Sequence, residues 1–182
     1  IHVDATDDLL QMYTSGTTGR PKGALVTHNN VCENIQQCSP NFNTDRGDRV
    51  LIVAPMYHTA AGFCTFLTVS KGGCLYIQED FIPDETIRAL SEESITWALL
   101  VPAMIQACLV AVPDVADRNY DGLRTLLYGG SPISEGTLRR AMDVFQCDFL
   151  QAFGMTELSP VAMFLTADDH RRALTEKPEL IV

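Results

Sequence analysis

Short apolar runs alternate with helix-like segments along almost the whole chain, and few architectures accept that rhythm. Residues 9–12 and 24–27 read as strands, and Thr27 or Asn29 caps a helix to about Gln37 that Ser39-Pro40 is expected to stop. Residues 49–54 (R-V-L-I-V-A) have the composition of a buried strand, 62–69 of a helix ending before Gly72-Gly73, and 74–77 of a further strand. Pro83-Asp84-Glu85 is a favourable first helical turn, since proline presets φ and the acids face the positive end of the helix dipole; this helix should run to about Glu93. Residues 96–101 then predict a strand, Pro102 opens a helix to about Val112, and 114–121 form a polar loop. A strand over 123–128, a helix capped by Ser134 and reaching about Phe145, and strands over 149–153 and 161–165 complete the series. Regular alternation of this kind predicts an α/β fold, a mostly parallel sheet with helices on both faces. With 182 residues, 46% of them hydrophobic, the chain can bury one sizeable core and reads as a single domain over 1–182.

In an open parallel sheet, ligands sit beyond the carboxyl ends of the strands. Four polar or glycine-rich segments follow predicted strands and are therefore expected at one edge: Tyr13 and the loop after it, Tyr57-His58, Gly129-Gly130-Ser131, and Gly154-Met155-Thr156-Glu157. The first is the richest. Residues 13–23 read Y-T-S-G-T-T-G-R-P-K-G, glycines and hydroxyls with two cations. Glycines let successive backbone N–H groups turn inward around an anion, hydroxyls add donors, and Arg20 or Lys22 adds charge. The string is not a Walker A loop, because Pro21 precedes Lys22, Gly23 follows it, and a strand rather than a helix comes next. A surface turn of small polar residues is the bland alternative.

The order of residues 13–23 resembles the signature of the adenylate-forming (AMP-binding) superfamily, which holds acyl-CoA synthetases, luciferases and peptide-synthetase adenylation domains. Phe153-Gly154-Met155-Thr156-Glu157 is similar to that family's aromatic-G-M-T-E motif, with Phe where Tyr is commoner. Gly129-Gly130-Ser131-Pro132 resembles its adenine-binding turn, with Ser131 in place of Ala, and Pro55-Met56-Tyr57-His58 resembles the P-x-aromatic-H segment of acyl- and aryl-CoA synthetases. A G-x-S-x-G hydrolase elbow around Ser131 is excluded by Ile133.

The resemblance implies specific roles. Thr14, Ser15, Gly16, Thr17, Thr18, Gly19 and Lys22 would hold the phosphates of ATP. Gly129, Gly130 and Ser131 would face adenine, against which the ring of Phe153 lies next to Gly154. Thr156 would contact phosphate, Glu157 would help hold Mg2+, and His58 would line the carboxylate pocket, so Lys22, Thr156, Glu157 and His58 are the expected catalytic set. The implied activity is an acid–thiol ligase of the fatty-acid-CoA ligase branch, using ATP, Mg2+ and coenzyme A on a small carboxylic acid. A carrier-protein-linked adenylation domain is the alternative within the family, and a non-catalytic nucleotide-binding module the alternative outside it.

The resemblance also implies that these residues are part of the large domain of a longer protein. The ribose-binding Asp and the small C-terminal domain with its Lys are not among them, and the chain has no initiating Met. Alone, the 182 residues are expected to bind Mg-ATP weakly and to form no acyl-CoA. A net charge of -10 argues against nucleic acid as a partner. The most apolar run, 98–112, is broken by Pro102 and Gln106 and too short to span a bilayer, so a cytoplasmic protein is expected. Six cysteines without C-x-x-C or zinc spacing read as reduced, mostly buried thiols.

Overall fold

The computed structural model describes residues 2–15 and 19–176. A six-stranded sheet carries the fold, built from β3 (Arg49–Ile52), β4 (Cys74–Ile77), β5 (Trp97–Leu99), β6 (Thr125–Gly129), β7 (Asp148–Gly154) and β8 (Val161–Leu165), in the order β4-β3-β5-β6-β7-β8. Strands β4 to β7 in that order are mutually parallel, and β8 closes the edge antiparallel to β7. The remaining strands, β1 (Asp8–Thr14) and β2 (Lys22–Thr27), pair only with each other, as an antiparallel ribbon. The alternation of strand and helix implied one sheet that would include them; instead they form a hairpin beside it. Local periodicity reports that a segment is a strand, but not which partner it finds.

The continuous apolar runs of the parallel strands have a simple cause. Successive side chains point to opposite faces, and both faces are covered. Leu51, Leu126 and Phe149 enter one core with α3 (Pro83–Glu92), α4 (Pro102–Ala111) and α5 (Glu135–Phe145), through Ile87, Ile105 and Phe145. Val50, Ile52, Leu127 and Leu150 enter the other, under α1 (His28–Phe42) and α2 (Thr59–Ser70).

Helix α1 runs through Pro40 to Phe42, five residues past the expected stop near Gln37. Its N-terminus is fixed by a capping box between Thr27 and Asn30. Proline removes a backbone donor, but here it stands in the last turn, where burial of Cys38 and Phe42 one turn apart outweighs the lost bond. Phe42 is 1% exposed and meets Phe63, Trp97 and Phe164 at centroid distances of 5.7, 5.8 and 5.5 Å. The polar loop before β6 is tied by Tyr120, whose hydroxyl donates to the Val115 carbonyl at 2.8 Å. All six cysteines are free; Cys38, Cys64 and Cys108 are buried, Cys147 is half-buried, and Cys32 and Cys74 are exposed, so burial is less general than expected. No helix among the described residues is long and apolar enough to cross a membrane.

A last helix, α6 (Ala167–Thr175), was not expected. Thr166 caps it and Asp169 completes the box, a start signal visible in T-A-D-D. This helix sets His170 into the core at 1% exposure. Its Nδ1–H donates to the Thr166 carbonyl at 2.7 Å, and its Nε2 accepts from the Tyr128 hydroxyl at 2.8 Å. Both ring nitrogens are thus satisfied in the neutral form, and burial holds the His170 pKa below its ordinary 6.5, against weaker opposing pulls from the Thr166 carbonyl and Asp169. The unfolded chain therefore takes up this proton first. Stability from this source is full above about 6.5 and falls as pH drops below it. The carboxyls of Asp169 and Asp114, held below 3.8 by Thr166 and Arg118, act only in stronger acid. Denaturant titrations at about pH 7.5 and about pH 5.5 should show a loss of stability in the wild type that shrinks in His170→Gln. An identical pH slope in both proteins would contradict the assignment.

Candidate active site

A cavity of about 460 Å³ opens at the carboxyl edge of the sheet. Pro55 and His58 reach it from the β3–α2 connection, Thr59 from the first turn of α2, Val101 from just beyond β5, Gly129 and Gly130 from the end of β6, and Phe153 to Thr156 from the end of β7 and the turn after it. Three of the four expected segments thus converge because their strands run parallel, as the edge rule requires.

Two motif glycines are demanded by the fold itself. A side chain on Gly129 would stand 2.2 Å from the Ala152 carbonyl oxygen, and one on Gly154 would stand 1.8 Å from that of Pro160. Neither approach leaves room for a Cβ. Gly130, at φ +78°, has nothing within 4 Å of its missing Cβ and leaves open space on the cavity wall. Phe153 is 58% exposed there, available to lie against a flat ligand. Ser131 is exposed but does not line the cavity.

His58 has a structural role as well as a place on the wall. It caps α2, its Nδ1 accepting from the Ala60 N–H at 3.2 Å, so in the neutral ring Nε2 carries the proton. Cap and helix together hold the imidazole at the mouth of the cavity.

The hairpin reaches this edge from outside the sheet. Thr14 and Lys22 pair directly across its mouth, with Ser15, Gly19, Arg20 and Lys22 exposed; Gly16, Thr17 and Thr18 lie outside the described residues. The Thr14 hydroxyl donates to Glu157 Oε1 at 3.3 Å, and β2 lies against the 3-10 turn Thr156–Leu158. One hydrogen bond therefore joins the end of β1 to the acidic turn after β7, across 143 residues of sequence. Glu157 itself is exposed and does not line the cavity.

Among the described residues no group of three or more His, Cys, Asp or Glu side chains gathers to hold a metal. A single exposed carboxylate beside hydroxyls suits magnesium, which usually keeps one or two protein carboxylates and takes its other ligands from phosphate and water. The walls farther in, Phe63 and Cys64 of α2, Leu99 and Leu127 of the strands, and Met104 of α4, escape motif reading because they are ordinary apolar residues. Val101 and Met104 follow β5 and could have been found by the edge rule.

Comparison with known proteins agrees with this geometry. The family model described as AMP-binding enzyme matches residues 2–178. A feruloyl-CoA synthase from an Amycolatopsis species is 37% identical over 164 residues, 90% of this chain and 33% of that protein. The inhibitor-bound N-terminal domain of FACL13 from Mycobacterium tuberculosis superposes with a TM-score of 0.87 at 27% identity, over 94% of this chain and 43% of that one. The Bacillus subtilis O-succinylbenzoate coenzyme A synthetase in complex with ATP and magnesium gives 0.80 at 25% identity, over 91% and 34%. The chain spans about a third of the length of the curated relatives it matches. With a parallel sheet whose carboxyl edge gathers the glycine hairpin, the aromatic-G-M-T-E turn and the histidine cap, and a family model matched over 2–178, the chain belongs to the AMP-binding enzyme family.

Proposed function

We propose that the protein carrying this chain joins a carboxylic acid to coenzyme A at the expense of Mg-ATP. The observation that carries the reading is the Thr14–Glu157 hydrogen bond, which brings the phosphate-type hairpin over the sheet edge where the cavity opens. An oxygen of the substrate carboxylate attacks the α-phosphorus of ATP. A new O–P bond forms as the bond to the bridging oxygen breaks, and pyrophosphate leaves with the electron pair. The thiolate of coenzyme A then attacks the acyl carbon, and AMP departs. The feruloyl-CoA synthase and the O-succinylbenzoate coenzyme A synthetase named above, the latter bound to ATP and magnesium, support this ligase reading.

Carboxylate and triphosphate repel each other, so alignment and charge neutralisation are the main tasks of such a site. Lys22, Thr14 and Ser15 at the hairpin, with the adjoining residues 16–19, hold the leaving phosphates. Thr156 adds a hydroxyl, and Glu157 would hold the magnesium of Mg-ATP, which would supply neutralisation of phosphate charge there. Phe153 stacks on adenine, while Gly129, Gly130 and Ser131 form the turn beside it. His58, fixed by its cap, presents Nε2–H to the substrate carboxylate.

Removing the cation in Lys22→Ala of the full-length protein should slow pyrophosphate exchange by roughly one to three powers of ten, the loss typical of a single charge-stabilising donor. Unchanged exchange would remove Lys22 from the site. For Glu157→Gln, which keeps shape but deletes the charge, a magnesium titration should show a higher concentration at half-maximal activity. A titration that overlays the wild type would rule out the metal role.

A further inference from the structure

The buried stripe of α1 reads Val31, Asn34, Cys38, Phe42, and Asn34 is out of place in it. Such a stripe is normally apolar, because an amide taken out of water costs free energy unless its hydrogen bonds are replaced. Asn34 is 7% exposed and replaces them on a single residue: its Nδ2–H donates to the Val161 carbonyl at 2.8 Å, and its Oδ1 accepts from the Val161 N–H at 3.3 Å. Strand β8 lies at the edge of the sheet, and the amide gives Val161 the pair of bonds that a neighbouring strand would give. Val161 is also where the acidic turn closes. Residues 155–160 leave β7 and return to β8 at one point: the Met155 N–H donates to the Pro160 carbonyl at 2.9 Å, that carbonyl packs against Gly154, and the β7–β8 register slips between Phe153 and Gly154. Within the turn the Leu158 and Ser159 N–H groups donate to the Met155 and Thr156 carbonyls, so Thr156 and Glu157 are fixed to its base.

Resting on the adenylation reading above, we propose that Asn34 is a positioning residue for the reaction: through Val161 it sets where Thr156 and Glu157 stand relative to Lys22, with α1 as the strut between the hairpin and the acidic turn. The helix is suited to this because its other end belongs to the hairpin. Thr27, the last residue of β2, is itself the cap of α1, and no loop intervenes; Asn34 follows about two turns further on. Two polar ties therefore hold the acidic turn to the unit that carries Lys22. The Thr14–Glu157 bond is 3.3 Å long and exposed, where water competes for both partners. The Asn34 pair stands in a buried stripe, where its loss would leave both backbone groups of Val161 without their partner, so it is the stiffer tie. Asn34 does not line the cavity, and its influence on the site runs through the backbone it holds.

A double-mutant cycle in the full-length protein tests the role. It is read as ATP–pyrophosphate exchange with octanoate or cinnamate as the acid, and as the magnesium concentration that gives half the maximal rate. Asn34→Leu keeps the side-chain volume and removes both hydrogen bonds. Acting through the turn, it should lower kcat by roughly tenfold or more when Glu157 is present and by less than about threefold in the Glu157→Gln background, and it should raise the magnesium requirement only in the former. An asparagine that served stability alone would lower both backgrounds by one common factor and leave the magnesium curve in place. That result would overturn the positioning role while leaving adenylation standing. If Asn34→Leu does not fold, Asn34→Asp, which keeps the acceptor for the Val161 N–H and loses the donor, carries the same cycle with the same two outcomes. Absence of acid-dependent exchange by the wild type on both acids would instead overturn the adenylation reading, and the role with it.

Discussion

Parallel strands impose a direction on everything attached to them. Because β4, β3, β5, β6 and β7 all run the same way, the chain leaves every one of them at the same edge of the sheet, and after β4, β3, β5 and β6 it must return through a helix that covers a face. The residues just beyond the strand ends are therefore collected without any local signal asking for it. His58, Val101, Gly130 and Phe153 are far apart in sequence and share one cavity for this reason alone. The edge also cannot relax: Gly129 and Gly154 admit backbone oxygens at distances that exclude any side chain, which holds the two turns in register.

The hairpin is the exception, and the site depends on it. An antiparallel ribbon with no place in the sheet brings Thr14 and Lys22 to the carboxyl edge, and the Thr14 hydroxyl on Glu157 is a polar link between the two units. The inner face of the ribbon holds Val26 at 4% exposure while Tyr13 and Leu25 on the outer face stay 69% and 57% exposed. Packing of one face fixes the ribbon's position, and the hydrogen bond ties its Thr14 end to the turn after β7.

Much of this architecture was legible in the residues, for reasons that can be named. Strand β4 began just after Gly72-Gly73 and spans the four apolar residues 74–77, and α3, α4 and α5 began at Pro83, Pro102 and the Ser134 cap. Pro40 misled because a local rule met a tertiary demand, the burial of Phe42 among three aromatic rings. The partner of β1 and the reversed direction of β8 were hidden because alternation of side chains is the same in either sense of pairing. Helix α6 carries its start signal in Thr166 and Asp169, but its short polar sequence shows no apolar stripe to go with it. At the site, glycine, hydroxyl and acid announced themselves by type. Phe63, Leu99 and Leu127 did not, since an apolar side chain on a cavity wall is written like one in the core.

The account stands on the hairpin and the acidic turn acting as one nucleotide site, and a double-mutant cycle measures that directly. Thr14→Val, Glu157→Gln and the double variant would be compared with the wild type in Mg-ATP-dependent pyrophosphate exchange by the full-length protein. Two groups that touch and serve the same phosphates should be coupled by roughly 0.5 kcal/mol or more. Strictly additive losses would show that the hairpin and Glu157 act independently, and would contradict the account.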